Sequence, residues 1–344
     1  MNQLMDEAGR SFSMVFHNCF QSVSKHIHIG KAVYQLYYAP KGFLKKTLKR
    51  GVVASIGDSH AKKSMEAAAR QLKPVVCQAP YYDIHFLSGD RFWYQTVFCA
   101  YSMACHSDIA IRPVIYDDGS LASAYQREIR RVFPNAQIYT RATLDERVEA
   151  TLPTSQFPYL RERRESYPNI RKLIDIHAGS DGWKLVLDSD MLFFRTPEAL
   201  IEWLKSPQKP CHMVDTETSY GYSTSLMQLL TEIPIASRLN VGICGLNSSY
   251  IDWEKLEHWC KTLIEKEGTH YYQEQALTAM MVAGKDCEIV DEQDYIVMPK
   301  RSEVVSPAAI LHHYVADSKP WYFRYGWKHV GKRIDPMDKD SFIG

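Results

Sequence analysis

Lys184-Leu185-Val186-Leu187-Asp188-Ser189-Asp190-Met191-Leu192-Phe193-Phe194 is an apolar run, two carboxylates one residue apart, and a second apolar run. Its first part reads as a strand buried on both faces, since apolar residues follow one another without polar alternation. An unpaired carboxylate at the end of such a strand costs several kcal/mol. On an extended chain Asp188 and Asp190 point to the same side, so their oxygens can converge on one hard divalent cation. Asp-x-Asp is also a common string at ordinary polar strand ends. The rest of the chain has to decide between the two readings.

Upstream, the pattern is regular. Asp83–Leu87 reads as a strand, Ser88-Gly89-Asp90 as a turn, and Phe92–Met103 as an apolar helix. Ile111–Tyr116 is a second strand ending in Asp117-Asp118-Gly119-Ser120; Leu121, Tyr125, Ile129 and Val132 mark one helix face, and Ala136–Tyr139 a third strand. Alternating strand and helix predicts a parallel sheet covered on both sides, with ligands at the C-terminal strand ends. Neither turn carries a Gly-x-Gly-x-x-Gly or a Gly-Lys-Ser/Thr loop, which argues against a dinucleotide oxidoreductase or a P-loop enzyme. Between Thr140 and Gly182 the chain is helical and charged. Arg161–Glu165, Arg171 and Lys172 read as a solvated face from which one or two cations reach the sheet end.

Further upstream lies a different signal. Val52–Ile56 followed by Gly57-Asp58-Ser59 resembles a strand leading into the nucleophile block of the Gly-Asp-Ser esterases. No Asp-x-x-His pair follows near the C-terminus to activate a serine, so Asp58 or Ser59 is expected as the cap of a helix over Ala61–Leu72. Residues 1–75 otherwise read as an extension of unknown role. Its basic stretch 41–50 is a candidate for peripheral membrane contact, with a solvated helix face as the simpler reading.

Composition bounds the function. The 344 residues are 45% hydrophobic, enough for a sizeable core, and 41 basic against 40 acidic side chains give a net charge of +1. That balance supplies no global field for nucleic acid. Eight scattered cysteines without a Cys-x-x-Cys pair read as reduced core thiols and a cytoplasmic setting. No apolar run reaches the ~18 residues of a membrane span, and the N-terminus lacks the order of a signal peptide.

Downstream of the carboxylates, Thr196-Pro197-Glu198 carries helix-start signals with Thr196 as the cap, and the helix runs to about Lys205. Cys211–Asp215 reads as a strand. Asn240–Asn247 is a strand with two glycines, which mark a bulge or the close approach of a ligand or another backbone. Trp253, Leu256, Trp259, Cys260 and Leu263 define an amphipathic helix, and Tyr272–Val282 another. Ala308–Tyr314 is a strand ending in His312-His313, followed by Lys319-Pro320-Trp321. A histidine arriving with a nearby lysine fits a third metal ligand beside a phosphate-binding cation.

Four blocks in this order resemble the GT-A nucleotide-sugar glycosyltransferases, and within them the retaining family 8 that contains glycogenin and the lipopolysaccharide galactosyltransferases. These are Asp188-Ser189-Asp190, Asn240-Val241-Gly242 leading to Leu246-Asn247, Glu274-Gln275, and His313 followed by Lys319-Pro320-Trp321. Val241, Glu274 and Ala316 depart from that family's small residue, aspartate and glycine. The resemblance implies an α/β fold of GT-A type: a mostly parallel, Rossmann-like sheet flanked by helices over residues 76–330, a mixed C-terminal part, a helical N-terminal extension and a tail over 331–344. It implies a hexosyltransferase using a UDP-sugar, with Asp188, Asp190 and His313 holding Mn²⁺ or Mg²⁺. Lys319 and the backbone at Ala316 would meet the diphosphate. Leu87, Ser88 and Asp90 would meet the nucleoside, with Phe92 near the base, Asn240 and Gly242 the sugar side, and Gln275 with Glu274 the anomeric carbon; Lys172 stands as that family's basic residue upstream of the metal strand, and Ser189 is a further donor-binding candidate. The acceptor stays open among a saccharide, a lipid-linked glycan and a protein, with loops Thr216–Leu230 and Tyr322–Val330 as candidates. An inverting enzyme, a nucleotidyltransferase and a non-catalytic sugar- or partner-binding module are the alternatives.

Overall fold

The computed structural model describes residues 52–332, with side chains from 57 to 330. The described residues from Ile56 onward belong to one compact unit. The basic stretch 41–50 and the tail 333–344 therefore lie outside the described residues.

Helix α1 (Val52–Ala69) leads to β1 (Tyr81–Ser88), α2 (Trp93–Cys105), β2 (Ala110–Asp117), α3 (Ser123–Val132) and β3 (Gln137–Tyr139). Three helices follow: α4 (Arg141–Thr151), α5 (Pro158–Ser166) and α6 (Arg171–His177). Next come β4 (Trp183–Leu187), β5 (Met191–Phe193), α7 (Glu198–Lys205), β6 (Cys211–Val214), α8 (Thr224–Thr231) and β7 (Leu239–Asn247). The C-terminal part holds α9 (Trp253–Glu267), α10 (Gln273–Met281), β8 (Glu288–Ile289), β9 (Tyr295–Val297), α11 (Arg301–Val305) and β10 (Leu311–His313). A short helix Lys319–Trp321 then runs through a π-helical turn Tyr322–Gly326 into Trp327–Lys332.

The main sheet has seven strands in the order β3-β2-β1-β4-β7-β6-β8. β3, β2, β1 and β4 are parallel neighbours; β7 runs antiparallel to β4 and β6. A second sheet, β5-β10-β9, pairs β10 antiparallel to β5 and parallel to β9. Successive strand residues feed opposite faces. Leu185 and Leu187 enter one core with Ile84, Phe86 and α2, while Val186 enters the other with Val241, Leu246 and α6. Each fully buried side chain of this kind contributes about 2 kcal/mol. Helix α2 is buried from Trp93 to Met103 and carries no charged residue, because it lies under both sheets. Its Ser102 Oγ even accepts the Phe193 backbone N–H, 3.0 Å away.

Three expectations are corrected. Gly57-Asp58-Ser59 lies inside α1 rather than after a strand, and Asp58 pairs with Arg324 at 2.8 Å. Burial of Met65 and Ala69 on the same helix outweighs the strand preference of the valines. Pro197, not Thr196, occupies the cap position of α7, and no side chain caps it. The charged segment is not uniformly solvated: Arg163, Arg164 and Arg171 are buried. Arg164 forks onto the fully buried Asp175, Nε to Oδ1 at 2.5 Å and Nη2 to Oδ2 at 3.1 Å. That pairing supplies the partner a buried guanidinium needs.

Candidate active site at the carboxyl ends of the strands

Asp188, Ser189 and Asp190 form the turn between β4 and β5 rather than part of an extended strand. The two aspartates converge because backbone bonds fix that turn at both ends. Asp188 N–H donates to Gly242 O at 2.8 Å, and Tyr314 N–H donates to Asp190 O at 2.9 Å. The second bond extends the β5/β10 ladder, in which His313 faces Met191. The C-terminal strand thus delivers an imidazole to the mid-chain carboxylates.

His313 is 2% exposed, and its Nε2 stands 3.6 Å from Asp188 Oδ2 and 3.4 Å from Asp190 Oδ1. Neither ring nitrogen has a hydrogen-bond partner among the described residues. One ligand atom from each of the three residues lies within 4.8 Å of the others. Two carboxylates, a buried imidazole with free nitrogens and this spacing fit a divalent transition metal. Gly242 makes the space: a Cβ there would stand 2.5 Å from His313 Cε1 and 2.9 Å from Asn240 Oδ1.

Cations surround the carboxylates. Lys172, from α6, donates to Asp188 Oδ1 at 2.8 Å and stands 3.5 Å from Glu274 Oε2. Lys319 bonds Asp190 Oδ2. Burial pushes the Asp190 carboxyl upward, but Lys319 and His313 more than offset it and hold it well below the usual range. Asp188 is also held low, by Lys172 and His313 against its burial. Glu274 goes the other way: burial, only partly opposed by Lys172, raises it to about 7. Burial would lower His313, yet the two aspartates carry it up to about 9.

A hydroxyl chain joins the nucleoside-side candidates to this turn. Ser88 Oγ lies 2.8 Å from Thr96 Oγ1, which lies 2.7 Å from Ser189 Oγ and 3.1 Å from Phe92 O. The Thr96 hydroxyl thus links the two serines, and the Phe92 carbonyl also accepts the Thr96 backbone N–H at 2.9 Å. Asp90 secures the neighbouring loop, its Oδ1 accepting from Ala122 N–H at 2.8 Å. Leu87 pairs with Tyr116 across the sheet, and Phe92 is 42% exposed beside α2.

On the other flank, Asp215 follows β6, whose ladder with β7 shifts register between His212 and Met213. Its Oδ2 accepts from Asn240 Nδ2 at 3.0 Å and from Gln275 Nε2 at 3.2 Å. Asn240 Oδ1 in turn accepts Gly242 N–H at 2.8 Å, so the Asn240 amide is used internally. Gln275 spends its other N–H on Ser219 O at 2.9 Å, leaving Oε1 without a bond among the described residues. Asp215 and Thr96 were not among the sequence-derived candidates. Asp215 carries the signal that singled out Asp188, a carboxylate closing an apolar strand; Thr96 carries none, because its role depends on contacts 8 and 93 residues away.

Ala316, where the resemblance leads one to expect a glycine, has φ +44°. It opens the 3₁₀ turn Ala316–Ser318 that leads into Lys319. The left-handed backbone is kept although a Cβ is present.

No protein-family model matches the sequence, and no curated protein does. Among solved structures, the chain is similar to the galactosyltransferase LgtC in complex with donor and acceptor sugar analogs. Identity is 16% and the TM-score 0.50, over 73% of this chain and 94% of that one. It is also similar to mouse xyloside xylosyltransferase 1, apo form, at 11% identity and TM-score 0.48, covering 69% and 99% of the two chains. The fold is of the GT-A type, with its mostly parallel seven-stranded sheet between helices. No described helix is long and apolar enough to cross a membrane.

Proposed function

We propose that this chain is a metal-dependent glycosyltransferase that moves a hexose from a UDP-sugar to an acceptor with retention of anomeric configuration. The observation that supports it most is the convergence of Asp188, Asp190 and the unbonded His313 imidazole at the carboxyl edge of a GT-A sheet, flanked by two lysines. A divalent cation held there supplies Lewis-acid charge for a departing diphosphate. The imidazole suits Mn²⁺ better than Mg²⁺.

The chain's own residues divide the remaining work. Lys319 is the positive group for an outer phosphate oxygen. The linked hydroxyls of Ser88 and Ser189 are the groups for a ribose, and Phe92 offers an exposed ring to the base. Asp215 and Ser219 hold the Gln275 amide so that its carbonyl oxygen is the end facing a ligand, the polarity that stabilises a positive anomeric carbon. Glu274 steadies Lys172 beside Asp188. Tyr271 and Tyr272, 67% and 41% exposed at the start of α10, offer stacking faces to a saccharide acceptor.

Calorimetric titration of UDP with and without Mn²⁺ tests the reading, and NMR of the transfer product tests retention. Metal-dependent UDP binding that is lost in Asp190→Ala and His313→Ala is expected. Unchanged UDP-sugar binding and hydrolysis in both variants would leave a non-catalytic module, and an inverted product would make the enzyme an inverting one.

A further inference from the structure

The two lysines at the candidate metal site are placed differently. Lys172 has an 11% exposed side chain and bridges two carboxylates, Asp188 and Glu274. Withdrawing it would strip two buried acids of their cation at once. Lys319 is 35% exposed, and among the described residues Asp190 is its one carboxylate partner. It follows a turn held from its own side, where the Ser318 hydroxyl and N–H both donate to Val315 O, at 2.7 and 3.0 Å. Four methylenes separate the ammonium from that anchored backbone, so it can move several ångströms while no strand moves.

Charge makes such a move necessary. Lys172 pairs with Asp188 and Glu274 and Lys319 with Asp190, while the His313 imidazole stands 3.6 and 3.4 Å from the two aspartates, so the three carboxylates are already faced by basic groups. A doubly charged ion reaching Asp190 meets the Lys319 ammonium on the same carboxylate, and like charges repel strongly in a site this buried. The ammonium then needs a new anion, and a nucleoside diphosphate bound beside the ion provides one.

Resting on the proposed function, we infer that Lys319 is the stand-in cation of the metal site. It occupies Asp190 in the free protein, leaves when the divalent ion enters, and passes to the diphosphate, so that metal and nucleotide bind cooperatively. One residue thus opposes the metal alone and favours the metal together with its nucleotide.

The test uses the full chain and compares it with Lys319→Met. Free Mn²⁺ is followed by electron paramagnetic resonance and UDP affinity by calorimetry. In the parent, UDP should tighten Mn²⁺ binding about tenfold or more. In Lys319→Met, Mn²⁺ alone should bind about fivefold more tightly than in the parent, while UDP with Mn²⁺ binds about tenfold more weakly. A measurement free of any folding defect uses the parent itself: amine acylation of Lys319, read by peptide mass spectrometry, should rise with Mn²⁺ alone and fall again when UDP is added. Intact Mn²⁺-dependent UDP binding, with no gain for Mn²⁺ in the variant or no rise in acylation, overturns this inference alone. A parent that binds neither Mn²⁺ nor UDP overturns the functional reading and this inference with it.

Discussion

Gly242 and His313 are in close contact: a methyl group added at Gly242 would stand 2.5 Å from Cε1 and 2.6 Å from Nδ1 of the imidazole. The ring is 2% exposed and has no open side to swing into. Gly242→Ala must therefore displace either β10 or the His313 ring. Expected outcomes are a loss of about 1–3 kcal/mol in urea denaturation and at least about tenfold weaker Mn²⁺ binding. Wild-type Mn²⁺ affinity in the variant would show that the ring has more freedom than its packing implies.

Ala316 gives a prediction of opposite sign. A Cβ in the left-handed region costs about 1–2 kcal/mol, and glycine returns about 0.5–1 kcal/mol of that as chain entropy. Ala316→Gly should raise stability by up to about 1 kcal/mol, measured by the same denaturation. A drop in stability would mean that the alanine methyl makes packing contacts worth more than the strain.

Asp215→Ala removes the oxygen that accepts from both Asn240 and Gln275. With no acceptor in its place, both buried NH₂ groups lose a partner. If the Gln275 carbonyl is held for the sugar, kcat should fall about tenfold or more. The KM for the donor should change far less, because Asp188, Asp190 and Lys319 are untouched. A KM effect without a kcat effect would relocate Asp215 to ground-state binding.

His177 bears on pH. Burial, with help from Lys184 and Arg147, lowers its pKa to about 3, and its Nδ1 lies 2.9 Å from Ser248 Oγ. The unfolded chain takes up a proton below about pH 6.5 that the folded chain refuses. This stability is complete above that pH and declines as pH falls toward 3, by about 1.4 kcal/mol per unit. His177→Gln keeps a hydrogen-bonding group for Ser248 and removes the titration. Between pH 6 and 4 its stability curve should be shallower than the parent's by one proton; parallel curves would contradict a neutral buried imidazole.

Much of this site was legible because the relevant signals are local. Asp188 and Asp190 close an apolar run, Gly242 interrupts one, and His313 ends one with Lys319 close behind; each is a polar or small residue where burial demands an explanation. Thr96 stands in an unbroken apolar helix with nothing to distinguish it. Asp58 and Ser59 show the converse, a suggestive string whose helix is set by the distant core it packs against.

The amino-acid order by itself determined the alternation of strands and helices, hence the layered sheet, and which polar groups close or interrupt its apolar runs. Periodicity and hydrogen-bonding capacity are properties of short segments and survive without a fold. Only the tertiary structure decided that the β5/β10 ladder carries His313 to the Asp188 turn, that Lys172 rather than Arg164 or Arg171 reaches it, and that Asp215 holds Gln275. Those choices depend on pairings between segments 16 to 125 residues apart, made by strand register and core packing that no local pattern encodes.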